Sequence, residues 1–414
     1  MRNIGRKIAA WLICLALLAG LCPAALADNL LSIPGTLKTI PDECFYGDTS
    51  LSAAVLGEGV KVIGSRAFAN SSLTSISLPS TIEEIADDAF EGSALKNVSA
   101  KSGTYAYTWA RQKGYIRQHK ALLIGEKTFL WYNYGNPYHE IANRNIGDVN
   151  NMVTMLKRVT AADGVPFDVT LKTDLNYEEV RKAIQTTFKD TTANDVSLFF
   201  IATHGNSNGD GDLEMANTGW TKAYNTHLSF STLADWLTTY VQGEVIVILE
   251  SCGAGSAIYD DEDPSQQNAS VANGGAAEPV DGTDDSGAFA SAAVRAFSRK
   301  DPGLPELEGE SLSNSTGDLR VRNKFYVLAA SRHHELSWGQ DASNYFTDWL
   351  IEGVGRRGNS PADTNGNGAL TLTELFNHIK KYDSYPIYDQ YWVRYYQHVQ
   401  RFPKNSAHVI FKLK

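Results

Sequence analysis

A chain of 414 residues is too long for one ordinary domain, and its 43% hydrophobic and 10% aromatic content belongs to folded domains rather than to a disordered or membrane-embedded chain. A formal net charge of −10 offers no overall positive field, so no nucleic-acid partner is expected.

In chain order, the first readable element is an address. Arg2, Arg6 and Lys7 precede the apolar run from Ile8 to Leu21, and Ala25-Leu26-Ala27 supplies small residues for cleavage. This order predicts a signal peptide over residues 1–27 and a secreted protein, extracellular or at the cell surface, with no membrane span once the signal is removed. The apolar run is short for an anchor and polar residues follow at once. Leu21 before Cys22 is bulkier than a lipid-attachment motif wants. The mature chain would then hold two cysteines, Cys44 and Cys252, too few and too isolated for a disulfide scaffold. One buried and one reactive thiol is the expected division.

Residues 28–117 form a module with a period. Ile40, Ile63 and Ile85 recur at steps of 23 and 22, Cys44-Phe45, Ala67-Phe68 and Ala89-Phe90 follow the same step, and so do Leu51, Leu73 and Leu95. Units this short cannot bury an apolar face alone and must stack as a solenoid. They resemble the leucine-rich repeats of bacterial surface proteins, and Thr104 to Tyr115 resembles the helix that caps such arrays. Cys44 stands where its neighbours have Ala, so a core thiol is expected there. The resemblance implies a surface or protein ligand for the repeats.

From residue 118 to 414 the pattern changes. Strands are expected near 121–125, 167–171, 196–202, 245–249, 325–329 and 407–411. Helices are expected near 146–156, 177–188, 233–240, 288–297, 345–354 and 372–379. Apolar strands alternating with helices predict an α/β domain whose mostly parallel sheet is covered on both faces, with ligands at the carboxyl ends of the strands. Two polar stretches, 253–285 and 301–320, have little to bury and are expected to be mobile loops open to processing near Arg299, Lys300 and Arg320.

Two strands end in reactive groups. One runs into His204-Gly205 and the other into Ser251-Cys252-Gly253, and a parallel sheet would bring both tips to one edge. An imidazole can take a thiol's proton and later protonate a leaving amine, so Cys252 is the candidate nucleophile and His204 its base. The N–H groups of Gly205 and Cys252 are candidate oxyanion donors. The chemistry requires no cofactor.

The segments FFIATHGNSNGDGDL and VIVILESCGAGSA, 48 residues apart at His204 and Cys252, resemble the His-Gly and Cys-Gly segments of the caspase, metacaspase, legumain and clostripain superfamily. The resemblance implies a caspase-like three-layer sandwich preceded by a short leucine-rich-repeat solenoid, a cysteine endopeptidase (a hydrolase), and protein or peptide substrates. Three departures stand out. Glu250 lies two residues before the nucleophile, where caspases have Gln and legumains Glu. Ser337-Trp338 is followed by Gly339 where caspases carry an arginine. No residue announces itself as an orienting acid for His204, although the resemblance implies that a dyad can suffice.

Glu250 alternates onto the same strand face as Cys252, and Asp148 resembles the metacaspase acid of the substrate pocket. Two carboxylates there favour cleavage after Arg or Lys. Arg144, four residues before Asp148, resembles the arginine that caspases and legumains use, so Asn ranks second and Asp last. An inactive surface adhesin is the rival from another class.

One further motif remains. Asp363, Asn365, Asn367, Gly368, Thr371 and Glu374 occupy the ligand and turn positions of a calcium loop, yet the same residues also suit a polar turn capping a helix. His333-His334-Glu335 lacks the spacing that puts two imidazoles on one helical face and reads as loop.

Overall fold

The computed structural model describes residues 29–133, 136–206, 212–216, 227–258, 324–332, 335–340, 342–388, 392–403 and 406–414. The expected signal segment 1–27, the helix expected at 288–297, the loop 301–320 and His333-His334 lie outside them. The chain divides into two compact units, 1–117 and 118–414.

In the first unit, β1 (Leu30–Ile33), β2 (Thr39–Ile40), β3 (Ala53–Leu56), β4 (Val62–Ile63), β5 (Ser75–Ser77), β6 (Glu84–Ile85) and β7 (Asn97–Ser99) make two parallel sheets, β1-β3-β5-β7 and β2-β4-β6. Each repeat contributes one strand to each sheet, so the period read from sequence becomes the ladder step: Ile40 pairs with Ile63, and Ile63 with Ile85. The recurring Phe forms a column: Phe45 on Phe68 at 5.1 Å, Phe68 on Phe90 at 5.4 Å, Phe90 on Trp109 at 5.5 Å, and Trp109 on Tyr115 at 5.5 Å. The last rings belong to α1 (Tyr105–Gln112) and the turn after it, which close the apolar end of the stack with Thr104 as N-cap. Cys44 corrects an expectation. It packs against this core, but it is disulfide-bonded rather than a free thiol.

The second unit carries six strands in the order β12 (Phe167–Thr173), β8 (His119–Gly125), β13 (Val196–Ala202), β17 (Glu244–Glu250), β18 (Phe325–Ala329) and β22 (Gln400–Phe402), all parallel except the last. β8, β13, β17 and β18 are buried on both faces, which is why they read as unbroken apolar runs. β12, at the edge, exposes polar residues that discourage further pairing. Leu123, Phe200, Ile248 and Leu328 join a core on one face with α2 (Asn143–Leu156), α5 (Tyr345–Val354) and α6 (Leu372–Lys380). Leu122, Phe199, Val247 and Val327 join the core of the other face with α3 (Tyr177–Phe188) and α4 (Phe230–Tyr240). These three layers are the caspase-like sandwich.

Smaller strands complete the unit. β9 (Thr128–Asn133) and β10 (Asn136–Ile141) form a hairpin between β8 and α2, and β14 (Gly205–Asn206), β15 (Asp212–Glu214) and β16 (His227–Ser229) form a short antiparallel sheet. β11 (Val159–Thr160), β23 (Val409–Leu413) and β19 (Ala369–Thr371) pair together, and β20 (Ile387–Tyr388) pairs with β21 (Arg394–Tyr395). The expected mobile loop 253–285 starts as ordered structure. Gly253 turns the chain with φ +64°, a 3-10 turn follows over Ala254–Ala257, and Ala254, Ala257 and Ile258 are buried. Residues 259–285 are outside the described set.

Candidate active site

β13 and β17 pair so that Ala202 faces Glu250, and two residues beyond each lie His204 and Cys252. The 48-residue offset seen in sequence is therefore the register of two neighbouring parallel strands. The bond from Thr203 N to Glu250 O, 3.1 Å, carries the pairing one step past the strand ends. A Cβ on Gly205 would stand 2.0 Å from the Cys252 carbonyl oxygen, so only glycine permits this approach of the two tips. Arg144, Asn145, Thr203, His204, Glu250, Ser251, Cys252, Ser337 and Asn344 line one cleft at this edge.

The thiol is held by the loop after β18. Ser337 N–H donates to Cys252 Sγ at 3.3 Å, and the thiol faces Ser337 O at 3.9 Å. Behind it, Gly253 N–H donates to Glu335 O at 2.8 Å. Burial pushes the Cys252 thiol above its ordinary range, with the Ser337 N–H opposing. Burial also lowers His204, against the Glu140 carboxylate, which raises it. Both shifts favour the neutral pair, thiol and imidazole, near neutral pH.

The two acids singled out in sequence have another task. Glu250 accepts from Thr347 N at 3.0 Å, Thr347 Oγ1 at 2.8 Å and the Ser337 hydroxyl, and it is 1% exposed. Asp148 accepts from Asn344 N at 2.9 Å and from the Asn344 amide. Asn344 is the N-cap of α5 but makes no side-chain cap of its own. Two carboxylates from elsewhere in the chain therefore satisfy the orphan donors at that helix start, where negative charge is also favoured by the helix dipole. Gly147 makes room for this, since a Cβ there would meet Ala342 O at 1.7 Å. Burial pushes Glu250 up to about 7 and Asp148 well above its ordinary range, each acid also feeling its acidic neighbours.

The two acids expected to face the substrate therefore differ in placement. Glu250 lines the cleft with its oxygens engaged, while Asp148 is fully buried and outside the lining. Arg144 does line it, near enough to lower both His204 and Cys252 electrostatically.

Sequence reasoning passed over Glu140 and Phe129. Glu140 Oε1 lies 3.1 Å from His204 Nε2, and the Phe129 ring meets the imidazole edge-on at 4.6 Å. Both sit on the β9–β10 hairpin, a two-stranded sheet among the described residues.

The calcium-motif loop closes on itself. Asp363 accepts from Asn367 N at 3.1 Å and Gly368 N at 2.9 Å, and Asn365 Nδ2 donates to Glu374 Oε1 at 2.8 Å. Glu374 and Thr371 also form a capping box for α6. The first, third and twelfth positions of the motif are thus tied together by the loop's own hydrogen bonds, while Asn367 Oδ1 accepts from Ala369 N at 2.7 Å. Among the described residues no group of three or more His, Cys, Asp or Glu side chains is placed to hold a metal.

The caspase domain family matches residues 118–386. This chain belongs to that family. Residues 29–109 match the BspA-type leucine-rich repeat region in six copies. No curated protein matches. Among solved structures, a caspase-1 from Spodoptera frugiperda is 14% identical with a TM-score of 0.39, covering 69% of this chain and 86% of its own. A protein from Geobacter sulfurreducens has the same identity and TM-score over 69% of this chain and 92% of its own. Among the described residues, no helix of this caspase-family chain is long and apolar enough to cross a membrane.

Proposed function

We propose that the chain is a secreted cysteine endopeptidase in which Cys252 is the nucleophile and His204 its base. The observation that carries this reading is the meeting of the two strand tips, with Gly205 against the Cys252 carbonyl and both side chains in one cleft. His204 takes the thiol proton as sulfur attacks the substrate carbonyl carbon. The C–S bond forms, the C–N bond breaks, and the imidazolium returns the proton to the leaving amine. Water then hydrolyses the thioester. The N–H groups of Gly205 and Cys252 hold the oxyanion. The repeats bind a surface or protein ligand, and Asp363, Asn365, Asn367, Thr371 and Glu374 would hold a calcium ion that ties the loop to the following helix.

The cleft holds the Arg144 guanidinium as a donor, while Glu250, Ser337, Asn145 and Asn344 are already bonded to one another or to neighbours within the protein. That lining suits a neutral side chain with an acceptor oxygen, so cleavage after Asn comes first. Cleavage after Arg or Lys is the second reading, carried by Glu250 in its ionised form. Aspartate stays last, since Glu250 would repel it. Cys252→Ala and His204→Ala should each abolish hydrolysis of a mixed peptide library, with the double variant little worse, because the pair acts as a unit. A peptide probe reactive toward thiols should label wild type alone. Hydrolysis that survives in Cys252→Ala overturns the assignment, and an unlabelled, inactive wild type makes the chain an adhesin.

A further inference from the structure

The β9–β10 hairpin places two side chains on one imidazole. Glu140 and Phe129 are directly opposite partners in its register, so their side chains leave the same face of the ribbon. Phe129 is 3% exposed and lays its edge on the ring, while Glu140 Oε1 sits 3.1 Å from Nε2. The base of the hairpin is tied down: Asp174 accepts from Lys127 N and Thr128 N, each at 2.8 Å, and Ala142 N donates to Lys127 O at 2.7 Å. α2 starts one residue later, held by Asn145 Nδ2 on Glu126 O at 2.7 Å. One anchored segment thus delivers Glu140 to the imidazole and Arg144 to the cleft.

From this geometry we infer that Glu140 is the positioning residue of a Cys252–His204–Glu140 triad, with Phe129 restraining the ring. The inference rests on the peptidase reading above. A carboxylate at Nε2 fixes the tautomer that carries its proton there, which leaves the Nδ1 lone pair to accept the proton of Cys252. When that proton arrives the ring becomes cationic, and the carboxylate beside it stabilises the charge without taking a proton itself. The arrangement answers a need set by the surroundings. Burial and the Arg144 cation both disfavour a charged His204, and Glu140 is the group that offsets them. Among the described residues, Glu250 and Glu214 also act on the thiol, and Glu214 N–H binds His204 O at 2.9 Å.

Three variants test the triad against a merely structural hairpin. Glu140→Ala should lower kcat on the order of 10²-fold, the low end of what a positioned acid–base partner contributes, with KM within about twofold. Glu140→Gln keeps an acceptor oxygen but no charge, so part of kcat should return while the acid limb of kcat/KM still moves to lower pH. Phe129→Leu should lower kcat without moving that limb. The same titration is read by NMR on the His204 imidazole in Cys252→Ala protein, where Glu140→Gln should lower the ring's pKa and release the fixed tautomer. Unchanged kcat and an unmoved limb in Glu140→Ala overturn the triad while leaving the peptidase intact. If wild type shows no thiol-dependent hydrolysis, the peptidase reading falls. The NMR titration then decides alone, and an unmoved imidazole overturns the contact's role.

Discussion

The two residues proposed to carry the chemistry were legible because each combines a reactive group with a glycine at a strand end. His204-Gly205 and Cys252-Gly253 show this, and the β13–β17 register explains why their spacing is meaningful. Gly205→Ala should therefore cost activity on the order of 10²-fold, as misplacing a reacting group by about 1 Å does. Its Cβ would meet backbone, the Cys252 carbonyl at 2.0 Å, which has no rotamer with which to yield. Wild-type turnover in that variant would mean the tips do not meet. What sequence could not show is whether an acid faces substrate or helix. Glu250 and Asp148 alternate and space like pocket residues, yet their partners Ser337, Thr347 and Asn344 lie some 90 to 200 positions away. A second prediction follows from Glu250. Its carboxyl rises from 4.5 when solvated to about 7 when folded, so the native state holds the proton more tightly. The stability it contributes is fully present below pH 4.5 and is lost as pH rises through about 7. Glu250→Gln can keep the Thr347 and Ser337 bonds and should flatten the melting temperature across that window. It should also weaken whatever cleavage occurs after basic residues, which increases with pH through the same range in wild type. An unchanged pH profile in Glu250→Gln would remove this acid from both roles.

At the scale of elements, long and strongly patterned segments were legible and short ones were not. The ends expected for Tyr177–Phe188, Val196–Ala202, Phe325–Ala329 and Tyr345–Val354 coincide with α3, β13, β18 and α5. The β9–β10 hairpin went unread because it forms a two-stranded sheet among the described residues and carries Pro137, which argues against a central strand. β14 and β15, at two and three residues, are too short to show a period. The loop from Asp363 to Glu374 poses the element-scale test. Its capping box accounts for about 1 kcal/mol without any ion. Bound calcium would add about 2.7 kcal/mol at a hundredfold excess over Kd. Calcium should raise the melting temperature of wild type, and Glu374→Gln should lose that increment and also melt lower in chelator. Identical melting of wild type with calcium and with chelator would leave the loop as a helix cap alone.

For the whole molecule, the decisive fact is that the two units close separate cores. The repeat core runs from Leu31 to Ile116 and uses the Phe45–Phe68–Phe90–Trp109 column, whereas both cores of the peptidase unit draw on residues from Ala121 onward. The repeats were read from a period and the second unit from two strand tips, so each was legible without the other. Among the described residues, those lining the cleft all belong to the second unit, from Arg144 onward. Deleting residues 28–115 should therefore leave kcat/KM on a short peptide within about twofold of the full chain, because distant, independent regions add within about 0.5 kcal/mol. The deletion should instead reduce cleavage of a protein substrate presented on the surface that the repeats bind, where losing one of two linked contacts lowers local concentration. Unfolding of the deleted form, followed by circular dichroism, should stay cooperative. A folded but inactive truncation on short peptides would require the repeats to shape the cleft, and the division of labour between the two units would be wrong.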